Sequence, residues 1–459
     1  MAYGNTRLFA IFLTCLTMLQ LVGCQEESRL SSLEMDQPAT LEAGLSEMDN
    51  QADEGELADV ETVQKEAHYG LYLLLWGVLL LAASKVGGMF SVRLGQTSTI
   101  GELLAGIVIG NLGLIFGSDV IIFLREGGAG GDLYPLFSTV PFSSQQMVAK
   151  MLTTGAHIGL ILFMFVLGLQ FSIGDWSRAK ERGLFLTFLG GGFSFLLCAL
   201  GSYYCWPHAD LRQHLLIGAV FATTSAETAV SLFSRYGKLG TQEARILLNS
   251  AVVTDLLGVL LLGGVIGISM NGAVIIETWS AFEWSGILYA ISMTVVLILG
   301  VSFLGKKLSP QITRAVMPIQ SPSMVLLVGL LLIAVLSWLS HSLGVTALIG
   351  AYASGVLLRG VRLNSSLHRL GHFEDLIEPF AGVIIPLFFV LLGIQVQLEL
   401  FSQFATWITL IVMCVVALAG MQLPGALWSG TTRGRFVIGA SLLSRGELAL
   451  IILFVSTCY

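Results

Sequence analysis

Residues 247–264 read LLNSAVVTDLLGVLLLGG. Apart from Asn249, Ser250, Thr254 and Asp255 the run is aliphatic or glycine. A helix needs about 20 such residues to cross a hydrocarbon layer of about 30 Å, so this stretch belongs to a membrane span. It carries one carboxylate near its middle. Charge at mid-membrane costs about 2.5–3.5 kcal/mol on insertion scales, so an acidic group placed there is by default a functional group.

The rest of the chain repeats the pattern. Of its 459 residues 55% are hydrophobic and 12% charged, against roughly 25% charged in ordinary soluble domains. The fold class is therefore all-α, a polytopic membrane protein. Twelve segments suit spans: 70–92, 97–116, 148–170, 184–206, 213–234, 246–270, 284–304, 323–342, 344–358, 378–398, 404–428 and 436–459. The 52 glycines suit close helix packing in lipid. The net charge of -7 comes largely from an acidic N-terminal segment, which implies no nucleic-acid partner.

The front end reads as a leader. In residues 1–24, Arg7 precedes a short apolar stretch that ends Leu21-Val22-Gly23-Cys24, a signal-peptide shape with a lipobox-like close. Cys24 is a candidate for lipidation, and an ordinary signal peptide is the alternative. Residues 25–69 are acidic and polar and read as an extracytoplasmic tether, disordered or weakly helical. With the first span starting outside, the predicted cytoplasmic ends collect Arg178, Lys180, Arg182, Lys306, Lys307, Arg359 and Arg433 among others. The outer ends hold only Arg125, Lys150 and Arg212. That is a strong positive-inside bias. A bacterial inner membrane with the N-terminus outside the cytoplasm follows as the expectation.

Two further spans are interrupted. VFATTSAETAVSLF (220–233) sets Thr223, Thr224 and Ser225 in an apolar run, with Glu227 after them. Hydroxyls can bond back to their own helix. Beside Asp255 in the next span they favour a break, whose freed carbonyls can coordinate a cation. ASLLSRGELALIIL (440–453) places Ser444, Arg445 and Glu447 in the last span. An ion pair at Arg445 is the plainer reading, and a second break is the other. Desolvation disfavours the charged form of a carboxyl, so one such group can hold a proton or a cation in turn. Asp255 could instead serve only to pair with a buried base.

An ordered set of motifs then carries a resemblance. QTSTIGELLAGIVIGNLGL (96–114), GLILFMFVLGLQFSI (159–173), TTSAET…VVTDLLG (223–258), LGVTALIGAYASGVLL (343–358), PLFFVLLGIQVQL (386–398) and SRGELALI (444–451) resemble the second cation:proton antiporter family. That family includes bacterial sodium/proton antiporters and glutathione-gated potassium efflux systems. The resemblance covers about residues 70–459. It implies an inverted-repeat sodium/proton antiporter-like fold with 13 helices, usually dimeric, with two crossed broken helices. It implies exchange of Na⁺ or K⁺ for H⁺ by alternating access and no cofactor.

By matching position, Asp255 resembles the ion- and proton-binding carboxylate, with Thr254 before it. Thr223, Thr224 and Ser225 match the first broken helix. Ser444 to Glu447 match the second, where Arg445 resembles a charge that offsets helix dipoles. Gln422 stands where a Lys or Arg often pairs with the carboxylate, which points to electroneutral one-for-one exchange. Glu227 is an extra carboxylate, a candidate second ligand or a group that simply faces water. No thirteenth helix is found before Tyr459, so the membrane domain reads as truncated. No GxGxxG nucleotide-binding pattern occurs.

Other classes fit less well. A gated cation channel needs a continuous pore. A non-transporting truncated homologue is the third reading. An intramembrane enzyme fits least: the seven His show no HExxH and no GxSxG is present. The six Cys, at 15, 24, 198, 205, 414 and 458, form no CxxC or metal spacing.

Overall fold

The computed structural model describes residues 54–116, 144–171, 181–207, 211–223, 257–264, 284–316, 321–361, 373–427 and 447–458, together with isolated positions between these stretches. No strand occurs among the described residues, and the fold is all-α. In chain order the helices are α1 (Glu54–Arg93), α2 (Ser98–Phe116), α3 (Ser144–Gln170), α4 (Glu181–Cys205), α5 (Leu211–Ala222), α6 (Trp284–Val316), α7 (Pro322–Ser342), α8 (Ala347–Leu358), α9 (Phe373–Ile394), α10 (Phe404–Leu427) and α11 (Glu447–Cys458). A 3₁₀ turn, Leu398–Ser402, links α9 to α10, and residues 257–264 are helical. Among the described residues α1, α3, α4, α6, α7 and α9 each hold a segment long and apolar enough to cross a membrane. Large apolar side chains stay exposed along them, such as Leu74, Val78 and Phe90 on α1 and Leu327, Leu331 and Trp338 on α7. In a membrane protein that face meets lipid tails.

The chain divides into two units. The smaller holds Val22–Ala156 with Pro386–Gln397; the larger holds Met1–Leu21, His157–Ile385 and Leu398–Tyr459. Each is organised by one helical hairpin crossed by one glycine-bearing helix.

In the smaller unit α1 turns into α2. Gly95 at φ 83° makes the turn, a backbone state that costs other residues a Cβ clash. Ser91 Oγ donates to the Thr97 carbonyl at 2.8 Å, and Gln96 N–H donates to the Ser91 carbonyl at 3.0 Å. Gly87 and Gly101 face each other so closely that a Cβ on either would fall on the other's carbonyl oxygen. Further along α2, Gly106 lies against the Val390 carbonyl and Gly110 against that of Ile394. Asn111 then ties the crossing: its Nδ2 donates to Ile107 O at 2.8 Å and Val396 O at 2.9 Å, fully inside the fold.

The larger unit repeats the device with α7 and α8. Gly344 at φ 72° makes the turn. Ser340 Oγ donates to the Thr346 carbonyl at 2.8 Å, and Val345 N–H to the Ser340 carbonyl at 3.0 Å. Gly350 packs on the Leu336 carbonyl, as Gly101 packs on Gly87. Gly355 then meets α3: a Cβ there would strike the Phe165 carbonyl, and one on Gly168 would strike the Tyr352 carbonyl. The crossing helices also match in sequence, FMFVLGLQF (163–171) in α3 and FFVLLGIQV (388–396) at α9. So a hairpin from the first half packs a helix from the second half, and a hairpin from the second half packs one from the first. That is an inverted repeat.

Three boundaries differ from the hydropathy reading. Helix α1 reaches back to Glu54, so residues 54–69 of the expected tether are helical. Their Glu, Ala, Leu, Lys and Gln are good helix formers, and polarity marks where the membrane ends rather than where a helix does. For the same reason α6 runs past 304 to Val316, through Pro310. The span expected over 213–234 stops being helical at Thr223.

Candidate functional site

The site is built on the end of α5, within the larger unit. From Leu211 to Ala222 this helix is buried on almost every side, with only Arg212 and Gln213 less covered. A helix end leaves its last four carbonyls without an intrahelical amide. Buried carbonyls need donors, and here two come from hydroxyls. Thr223, itself 2% exposed, folds back so that its Oγ1 donates to Val220 O at 2.9 Å. Ser194 of α4, 0% exposed, donates from Oγ to Phe221 O at 2.7 Å. The Ala222 carbonyl oxygen stands 3.4 Å from where a Cβ on Gly191 would lie.

Helix α4 grips α5 along its length. Gly218 nests on the Phe195 carbonyl and Ala199 Cβ. At the far end His214 Nδ1 meets Ser202 Oγ at 2.8 Å, and its ring stands edge-on to Tyr203 with centroids 5.6 Å apart. On its other side α4 carries α10: Gly420 lies against the Ser194 backbone, and Gly201 against Met413. Gln422, on α10 two residues beyond Gly420, is partly buried.

Residues 257–264 enter beside this end. A Cβ on Gly191 would stand 2.7 Å from Leu257 Cδ2, and one on Gly258 would stand 2.6 Å from Leu448 Cδ1. Thus Leu257 reaches the α4 glycine that also faces the Ala222 carbonyl, while Gly258 seats α11. Glu447 lies partly buried in the first turn of α11, and α11 packs against α5. A helix C-terminus carries about half a negative charge and an N-terminus about half a positive one, so α5 offers carbonyl density and Glu447 complements the start of α11.

Among the sequence candidates, Thr223, Glu447 and Gln422 lie in the described residues. Thr223 directly follows α5 and Glu447 opens α11, two helices in mutual contact, and Gln422 stands on the helix that braces α4. Thr224, Ser225, Glu227, Thr254, Asp255, Ser444, Arg445 and Cys24 lie outside the described residues. Among the described residues no His, Cys, Asp and Glu form a cluster fit for a metal ion. Ser194 and Gly191 were missed in the sequence. The signal was there as LGGGFSF (189–195), three glycines and a serine inside one span. A lone Ser in an apolar helix ordinarily bonds its own backbone, which hides such a role.

The comparisons with known proteins agree with this architecture. Residues 78–457 match the family model described as sodium/hydrogen exchanger, transmembrane. The chain is 25% identical over 395 residues to the high-affinity Na⁺/H⁺ antiporter NhaS3 of Synechocystis, covering 83% of this chain and 81% of that protein. It is 26% identical over 386 residues to the Na⁺/H⁺-K⁺ antiporter GerN of Bacillus cereus, covering 82% and 85%. The structure of the sodium proton antiporter MjNhaP1 from Methanocaldococcus jannaschii superposes with TM-score 0.53 at 14% identity, over 85% of this chain and 94% of that one. This last similarity concerns the fold alone. These relatives are transporters, not enzymes. With the greater part of its length matched, the chain belongs to the sodium/hydrogen exchanger family.

Proposed function

We propose that this chain is a monovalent cation:proton antiporter exchanging Na⁺ or K⁺ for H⁺ by alternating access, with Asp255 taking proton and cation in turn. The observation that carries the reading is the end of α5. The helix stops inside the protein at Ala222, Thr223 and Ser194 satisfy two of its carbonyls, and Leu257, two residues after Asp255, reaches the same place. A mid-membrane carboxylate beside a broken helix supplies one anionic ligand and neutral carbonyl or hydroxyl ligands, a set suited to a dehydrated monovalent ion. The named activities of NhaS3 and GerN support the same substrates.

In this reading the unprotonated carboxylate binds the cation, with Thr254, Thr223, Thr224 and Ser225 as the oxygen-bearing residues around it. Protonation releases the ion. Arg445, Ser444 and Glu447 balance the helix ends, and Glu227 is a further acidic ligand. Uncharged Gln422 leaves no basic partner for Asp255, so one cation exchanges for one proton without net charge. The protein works as a homodimer in a bacterial inner membrane, its N-terminus outside and anchored through Cys24.

The test is cation-induced proton movement in proteoliposomes with Na⁺, K⁺ and Li⁺ supplied in turn. Exchange that is lost in Asp255→Asn and unaffected by an imposed membrane potential supports the reading. Exchange that persists in Asp255→Asn contradicts it.

A further inference from the structure

We propose that the exposed side of α6 is a binding site for an anionic phospholipid, with Lys307 and Arg314 holding its phosphate. This inference stands apart from the antiporter reading. The membrane-length apolar segment of α6 is Gly286–Gly305, yet the helix continues about 16 Å further, to Val316. That extension carries Lys306, Lys307 and Arg314, and α6 contains no Asp or Glu. A positive-inside bias asks for basic residues at such an end and leaves their direction around the helix open. The structure supplies the direction. At about 100° per residue, Tyr289, Val296, Phe303, Lys307 and Arg314 fall within about 40° of one another. All five are exposed.

The opposite side of α6 is held in place. Thr294, Val301 and Val316 are buried, and Gly305 lies against Leu357 of α8. A Cβ on Gly360, just past α8, would stand 2.7 Å from Ser309 Oγ. The basic pair therefore keeps the bearing of the apolar stripe. Among the described residues neither Lys307 nor Arg314 forms an ion pair. Acyl chains lie along Tyr289, Val296 and Phe303, and the headgroup phosphate falls between Lys307 and Arg314, which are about 10 Å apart along the axis. Both side chains are long enough to converge on one headgroup, and the Arg314 guanidinium fork fits two phosphate oxygens. A soluble phosphate would answer the charge and leave the stripe below it unused, so the occupant that fits the whole face is a lipid. Each basic side chain near an anionic membrane surface adds about 1 kcal/mol, or about fivefold in affinity.

The experiment places a reporter on the stripe. A Cβ on Gly300 meets nothing within 4 Å, so Gly300→Cys takes a bimane label there. The labelled protein enters vesicles of equal phosphatidylcholine and phosphatidylglycerol, with quenching bromine on the acyl chains of one lipid or the other. The same labelling of a chain that keeps Gly300 gives the background from its own cysteines. Brominated phosphatidylglycerol should quench as the preferred neighbour, by a factor on the order of ten at low salt and less at high salt. Lys307→Gln with Arg314→Gln should bring the preference close to one, whereas Lys307→Arg with Arg314→Lys should keep most of it. Equal quenching by the two lipids in the native chain overturns the proposal, as does a preference that survives the Gln pair. Lys85→Gln with Arg93→Gln removes two exposed basic groups from α1. An equal loss in that variant would make the effect one of total charge and overturns the proposal. Weak quenching by both lipids would mean that a second copy of the chain covers the stripe, which overturns it too. If the Gln pair does not fold, Lys307→Gln alone decides: a preference lowered about fivefold supports the site, and an unchanged one overturns it.

Discussion

The two hairpin crossings share a backbone and differ in what surrounds it. Both use a left-handed glycine, a serine that donates to the carbonyl of the residue just before the next helix, and glycines that let carbonyls touch. In the smaller unit the tie is Asn111, buried and bonded to two carbonyls. In the larger unit the corresponding tie is Arg359, exposed, donating from Nη1 to Gln170 O at 2.6 Å. The larger unit alone also holds α5, residues 257–264 and α11. The crossings are thus a shared frame, and the site we propose lies on elements that the larger unit holds besides its crossing.

If the crossings are equivalent frames, they should fail alike. Gly168→Val and Gly355→Val in one unit, and Gly106→Val and Gly393→Val in the other, each drive a side chain into a carbonyl. Each should cost about 3 kcal/mol or more, enough to leave little folded protein in detergent by size exclusion. A variant that folds normally in one unit only would break the equivalence.

Next in size is a pair that separates frame from site. Gly191→Ala presses on Leu257 and the Ala222 carbonyl, whereas a Cβ on Gly192 meets nothing within 4 Å. Gly191→Ala should lower exchange about tenfold, the scale of a modest misplacement of site groups, and Gly192→Ala should leave it unchanged. Equal effects would detach the α4 glycines from the site.

The smallest effects concern the two ties. Asn111→Leu removes a buried donor and should cost about 1–3 kcal/mol of stability in a thermal assay. Arg359→Ala loses an exposed bond and should cost about 1 kcal/mol or less, shrinking further in high salt. The reverse order would mean that the exposed tie matters more than its setting suggests.

The sequence was legible where hydropathy or chemistry is local. Apolar runs located the spans, and the ordered motifs pointed to the family that residues 78–457 match. Thr223 follows the last residue of α5, while Thr224 and Ser225 lie outside the described residues. Long-range geometry was not legible. The inverted repeat rests on a few Gly, Ser and Thr positions, Gly101 with Gly350 or Ser91 with Ser340, embedded in interchangeable aliphatics. Ser194 was hidden because its acceptor lies on another helix, 27 residues away in the chain. That residues 54–69 continue the helix of the first span was not legible, because their polar composition suits a solvated helix as well as disorder.

The central claim is that proton and cation compete for one carboxylate. The most direct measurement is the half-saturating Na⁺ or K⁺ concentration for exchange in proteoliposomes as a function of pH. Competition for a single titrating group predicts that this concentration rises about tenfold per pH unit on the acid side, while the maximal rate at saturating cation holds. A half-saturating concentration that ignores pH while the maximal rate collapses in acid would contradict the account.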